Sequence, residues 1–332
     1  MNPRNLLVAL FALAALAYGG TKAYLYFKIK NAWNSIAETA APYAELKRGG
    51  ITSSLTGAAG VTDVEIILND TSESIRIDRI EVLVPNIRYL LKADRAANGV
   101  RGGPMMVNGT SRTVPDLPRF IGVNVSGVHI DLNSAYMMDL DRHSREAAAQ
   151  NGALETGCGD ITHFGTTQYR EMGYDTIKMD MKLLFYPDLA NRSFSFKLDT
   201  GVAQMFRLET DAGFAMPEAQ GYAAPTPRLA NLKLVYKDES LQKRIGDLCR
   251  KHGTPDVITF RGGRVAAFQT QMRAMGIELT PEMIATYMKF LERPGSLTIT
   301  SGPASPVDLA ALKLYKAADV PALLNLDMTT SP

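Results

Sequence analysis

The sequence predicts an α+β protein: an N-terminal transmembrane helix, then a mainly antiparallel β-sheet, with helices concentrated in the C-terminal third. Three observations predict this. An uninterrupted apolar run, LLVALFALAALAY, occupies residues 6–18. From residue 63 onward, apolar and polar residues alternate at the period of two that a strand with one wet face requires. After Tyr236 that alternation gives way to the three-to-four spacing of amphipathic helices.

Arg4 and the amino terminus precede the apolar run, which is the composition of an export signal. Beyond Gly19-Gly20 the apolar character resumes through Ala23, Tyr24, Leu25, Tyr26 and Phe27. Only Lys22 interrupts it, with a stem long enough to snorkel to an interface. From Leu6 to Phe27 the chain exceeds the roughly 20 residues that a bilayer span needs. Two readings of residues 1–28 stand: a retained anchor, or a signal peptide removed at the small-x-small site Ala15-Leu16-Ala17. The aromatic residues that follow that site favour the anchor. Lys22, Lys28 and Lys30 after the span, against Arg4 before it, oppose an N-inside orientation, so an N-out topology with a cytoplasmic body stands beside it.

Residues 29–48 continue as a juxtamembrane helix, weakened at Pro42 and ended by Gly49-Gly50. Residues 49–236 form a β-rich domain. Val64, Ile66 and Leu68 make one strand, and Ile75 and Ile77 the next, with a turn at 69–74. Ile80, Val82 and Val84 continue with shifted parity, which predicts a bulge near Arg79. A helical turn follows Pro85. A loop with a strand at Met105–Val107 comes next, then a strand pair around Ser126-Gly127, then an exposed helical bridge near 139–152.

The clearest alternation is Met179, Met181, Leu183 and Phe185 against Lys178, Asp180 and Lys182. Phe194, Phe196 and Leu198 answer it across a turn, and Met205 to Leu208 and Leu232 to Tyr236 extend an antiparallel meander. Residues 237–332 form the mixed helix and strand part of the same domain. Asp238 caps one helix, a second carries Val265, Phe268 and Met272, and a third opens at Thr280-Pro281 with its cap and N1 proline in place. A strand at 297–300 and short helices at 308–316 and 321–326 complete the chain.

Composition excludes several functions. Lysine and arginine total 36 against 34 acidic residues, without a basic block, so nucleic acid is not an expected partner. The four histidines are scattered, and Cys158, Asp160 and His163 supply too few ligands for a metal site. Ser240-Leu241-Gln242-Lys243 matches the SxxK pattern of serine acyl enzymes, yet the SDN and KTG companions are missing. No nucleotide loop is present, so no cofactor and no catalytic residue is assigned, and the chain is read as a non-enzyme. Cys158 and Cys249 belong to no CxxC pair. In an oxidising compartment they would close one disulfide; two buried free thiols are the alternative.

The segments ITSSLTGAAGVTDVEIILND and SIRIDRIEVLVPNIRYLL, behind the anchor, resemble the AsmA-like envelope proteins and similar single-anchored periplasmic proteins of bacteria. LANLKLVYKDESLQKRIGDLC and PGSLTITSGPASPVDL echo the same pattern. The resemblance implies a curved sheet with an apolar concave face, a place in the cell inner membrane with the body in the periplasm, and lipid handling. Met179, Met181, Leu183, Phe185, Phe194 and Phe196 are the candidate lining of an apolar groove, since flexible and bulky apolar groups line adaptable pockets. The expected occupant is lipid or a hydrophobic partner, in envelope maintenance or lipid transport. The alternative is a structural or interaction protein of the envelope, with a closed core and a protein partner.

Overall fold

A computed structural model describes residues 3–54, 56–71, 73–91, 118–150, 156–217, 226–253 and 256–332, with side chains from residue 19 on and, in the helix ending at Gln150, as far as residue 146. The chain divides into two compact units, Met1–Ser126 and Gly127–Pro332.

In the first unit, helix α1 (Pro3–Ala40) stops two residues before Pro42, whose ring disfavours a helical predecessor. The helix predicted to reach residue 48 therefore ends at Ala40. Ala44–Lys47 is strand β1, and Tyr43 N–H donates to the Ala40 carbonyl at the turn between them. Strands β2 (Gly50–Ser53), β3 (Ala58–Leu68) and β4 (Ser74–Leu83) follow. Strands β1 and β2 pair with the same edge of β3 in one register, Ala44 opposite Leu68 and Gly50 opposite Thr62.

The break between β1 and β2 faces Asp63, whose φ is 53°. A Cβ on Gly49 would lie 2.8 Å from the Asp63 Cβ, so glycine is needed at this close approach. The left-handed residue also explains why Val61 and Val64 are both buried despite their odd spacing. On β4, Asp78 and Arg79 are exposed in succession, which is the parity shift read from the sequence. The β3–β4 register nevertheless stays constant from Ala58 opposite Leu83 to Ile67 opposite Ser74. The predicted bulge at Arg79 is therefore an irregularity shared by both strands, with no extra residue in either.

Residues 87–91 are helical, as expected after Pro85. The strand expected at Met105–Val107 lies outside the described residues. Strand β5 (Ile121–Asp131) carries the chain from the first unit into the second. It is one strand where a pair was expected, because Gly127 adopts φ 62° and lets the chain run on instead of turning back. Among the described residues no helix is long and apolar enough to cross a membrane. The run at 6–18 lies in the part of α1 whose side chains fall outside the description.

The second unit begins with helices α2 (Ala135–Gln150), which starts ahead of the expected Asp139, and α3 (Thr166–Glu171). Strands β6 (Thr176–Asp188), β7 (Ser193–Val202), β8 (Phe206–Ala215) and β9 (Arg228–Asp238) form the predicted antiparallel meander. Helices α4 (Leu241–Lys251), α5 (Val257–Ala274) and α6 (Pro281–Glu292) come next, then strands β10 (Ser296–Ser301) and β11 (Val307–Asp308), a 3-10 turn at Leu309–Leu314, helix α7 (Val320–Leu323) and strand β12 (Leu326–Ser331). β10 inserts between β9 and β12, and β11 pairs with β9. Strand β12 went unread in the sequence, although Leu326, Met328 and Thr330 alternate with Asp327, Thr329 and Ser331.

The helices start where their caps dictate. Asp256 accepts from the Thr259 N–H at 2.8 Å, and Thr280 accepts from the Met283 N–H at 3.3 Å ahead of Pro281. Helices α5 and α6 bury Val265, Met283, Tyr287, Phe290 and Leu291 against Leu297 of β10 and Met328 of β12. This cluster contains Phe290 at 1% exposure, so α6 is clamped on the sheet. Replacing Thr280 by Ala removes one N-terminal hydrogen bond and is expected to cost about 1 kcal/mol. Urea unfolding should show it as a lower midpoint at unchanged slope.

Candidate functional site

The register of β6 to β8 places the six candidate groove residues on one face. Met179, Met181, Leu183 and Phe185 stand opposite Val202, Thr200, Leu198 and Phe196, and Pro187 stands opposite Phe194. Across β7, Phe194 faces Phe214 and Phe196 faces Ala212. The aromatic rings form a chain of contacts: Phe185 to Phe194 at 5.4 Å, Phe194 stacked on Phe214 at 5.1 Å, and Phe214 stacked on Phe196 at 5.8 Å between centroids. Such offset pairs favour each other beyond the apolar area they bury. Phe214 was not singled out from the sequence. The alternation Phe206, Leu208, Thr210, Ala212, Phe214 carried the signal, diluted by its two small or polar members.

Burial is uneven along this face. On the β9, β10 and β12 side, Leu229, Leu297 and Met328 are nearly inaccessible. On β6, Leu183 remains 38% exposed and Phe185 39% exposed, while Met179, Met181, Phe194 and Phe196 are half-buried. None of the buried clusters described includes any of these six residues. The face is thus closed by helices at one end and, among the described residues, open at the other. Met205 and Phe206 of the same meander are not part of the open stretch: Met205 is 3% exposed and both pack in the core around the cysteine pair.

That core contains a bond between Cys158 and Cys249, with Cα atoms 4.8 Å apart and a sequence separation of 91. Both cysteines are buried with Leu132, Ile161, Met172, Tyr174, Ile245, Leu248 and Phe260. The bridge ties α4 to the loop before α3. Gly157, with φ 68°, fits against α5, where a Cβ would come within 2.3 Å of the Gly263 carbonyl carbon. The neighbouring RGGR sequence therefore serves close backbone packing, which accounts for Gly263.

The opposite face of β6 to β9 is charged. Lys197 pairs with Asp211 at 2.9 Å, Arg207 with Asp199 at 2.8 Å, and Lys237 with Glu209 at 2.6 Å. The hydrogen bond to Asp211 raises the Lys197 pKa, and that to Asp199 raises that of Arg207. A recess of about 340 Å³ on this side is lined by Lys182, Leu184, Lys197, Asp199, Glu209 and Asp211 among others. Its charges pair with opposite sign across the strands, as expected of a solvated sheet face. At the sheet end, burial and then the Asp238 carboxylate raise the Tyr236 phenol, which donates to Asp238 at 3.0 Å. Asp238 itself is raised by burial, against the hydrogen bond it accepts from the Gln242 N–H.

The remaining sequence candidates have structural partners. Ser240 donates to the Gln204 carbonyl, its Oγ lies 3.3 Å from the Tyr174 hydroxyl, and Lys243 is exposed. The cluster Cys158, Asp160 and His163 does not converge. Cys158 is bridged, and His163 Nε2 hydrogen-bonds Asp141 at 2.9 Å, which also accepts from Arg145. Among the described residues no group of His, Cys, Asp or Glu is placed to hold a metal ion.

One family model, described as "Uncharacterized protein", matches residues 185–331, from Phe185 in β6 to the end of β12. No curated protein matches the sequence.

The bridge makes a prediction of its own. Replacing both cysteines by alanine frees a long unfolded loop and should lower the unfolding free energy by about 4 to 5 kcal/mol. Equilibrium denaturation of the double variant against the oxidised protein measures this.

Proposed function

We propose that this is a non-enzymatic protein, anchored in the bacterial inner membrane by the apolar run at 6–18 and its continuation, whose periplasmic body holds lipid acyl chains or a hydrophobic partner. The binding surface is the open end of the apolar face, formed by Met179, Met181, Leu183 and Phe185 with Phe194 and Phe196. The resemblance to AsmA-like proteins supports a part in envelope maintenance or lipid transport. The observation that carries the reading is the exposure of Leu183 and Phe185 on a face that is buried elsewhere. Methionine and phenylalanine side chains suit an occupant of variable shape, since thioethers repack and rings slide along acyl chains. A disulfide in the core is consistent with an oxidising compartment.

Native mass spectrometry of the full chain, extracted in mild detergent, tests this directly. Bound phospholipid is expected on the wild type. Leu183→Asp and Phe185→Asp, placed together, should reduce that occupancy by roughly tenfold or more, because a carboxylate against an acyl chain is unpaired and desolvated. Unchanged occupancy in the double variant would contradict the site. A stable protein partner captured without lipid would favour an envelope interaction protein instead.

A further inference from the structure

The first unit carries a separate surface, where α1 meets β2. Lys22, Ala23 and Tyr26 of α1 line a notch of about 530 Å³ with Ile51, Thr52 and Ser53 of β2. The Lys22 ammonium donates to the Ser53 carbonyl, and Leu25 is 2% exposed where α1 packs on β1, β2 and β3. On the side of α1 turned from the strands, Tyr24 and Phe27 share a helix face. Phe27 is 60% exposed, and the Lys28 ammonium sits 5.0 Å from the Tyr24 ring centroid. Tyr26 is also open, with its ring edge-on to Phe27 at 5.7 Å. Exposed aromatics beside lysines, at the end of an apolar run, have the composition of a membrane–water boundary.

Helix length makes the placement specific. From Leu6 to Thr21, the residue before Lys22, the rise is about 24 Å at 1.5 Å per residue. A hydrocarbon core is about 30 Å thick. A span ending at Thr21 is therefore short by about 6 Å, a mismatch that local thinning of the bilayer and snorkelling of flanking residues absorb. Lys22 and Leu25, held at the strands, fix where the span ends.

We infer that Tyr24, Tyr26 and Phe27, together with Ile51 to Ser53 of β2, form a collar seated in the phospholipid headgroup region, so that the first strands rest on the bilayer surface. This rests on the anchor reading above. The occupant is phospholipid, because the apolar run at 6–18 feeds directly into the collar and the notch combines an ammonium, a hydroxyl pair and an apolar wall suited to a headgroup and its glycerol.

The test uses the full chain in nanodiscs of brominated phosphatidylcholine, with Trp33 as the native reporter. Trp33 lies six residues beyond Phe27, about 9 Å farther along the helix. In the variants F27W/W33F and I51W/W33F, tryptophan fluorescence should be quenched several-fold more than that of native Trp33. Quenching no greater than that of Trp33, in protein that floats with vesicles, overturns the collar and leaves the anchor standing. Failure to float overturns both.

Discussion

The alternation of apolar and polar side chains along β6 to β9 is the constraint on which the second unit depends. An antiparallel meander with one apolar face must put that face against something, because apolar surface is driven from water over its whole area. Helices α5 to α7 provide the cover for β9, β10 and β12, where Tyr236, Phe290, Leu297 and Met328 interlock. The charged face needs no cover, because its cross-strand ion pairs meet water. The same alternation continues along β6, where the buried clusters reach Ile177 but not Leu183 or Phe185. Leu183 and Phe185 are exposed for that reason, and the proposed binding surface is a direct extension of the core.

The disulfide has a complementary role. It joins α4 to the loop before α3 in a cluster that includes Val202, Phe206 and Ile177, at one end of the strands. The opposite end is held by Leu229, Phe214 and Leu232 with Val320 and Leu324. Both ends of the strands are thereby packed, while Leu183 and Phe185 on the β6 side of the face stay exposed. An open apolar strip between two anchored ends keeps its shape without an occupant, which lowers the ordering cost that binding would otherwise incur.

Much of this was legible in the sequence where a single physical rule dominates. The period of two marked β6 and β7 to within a few residues, and Thr280-Pro281 marked the start of α6, because alternation and capping are local. What escaped depended on backbone conformation or on tertiary pairing. Asp63 adopts a left-handed conformation that nothing in its immediate neighbours announces, and it breaks β1 from β2 and reverses the parity of β3. Gly127 carries β5 straight through a place where Ser-Gly suggests a turn. Residues 44–47 and 326–331 are short segments of weak propensity that become strands only because β3 and β10 offer them an edge. The six groove residues share a face as their spacing required. Which part of that face the helices would cover was not readable, since it depends on how α5 and α6 dock.

The proposed acyl-chain site is the exposed stretch of the apolar face around Leu183 and Phe185. Methyl NMR of the full chain in phospholipid nanodiscs, labelled at Met and Leu methyls and titrated with a fatty acid bearing a nitroxide near its end, examines it most directly. The account predicts broadening of Met179, Met181 and Leu183 while Met205, Met283 and Leu248 stay sharp. Uniform broadening, or none at the β6 methyls, would contradict it.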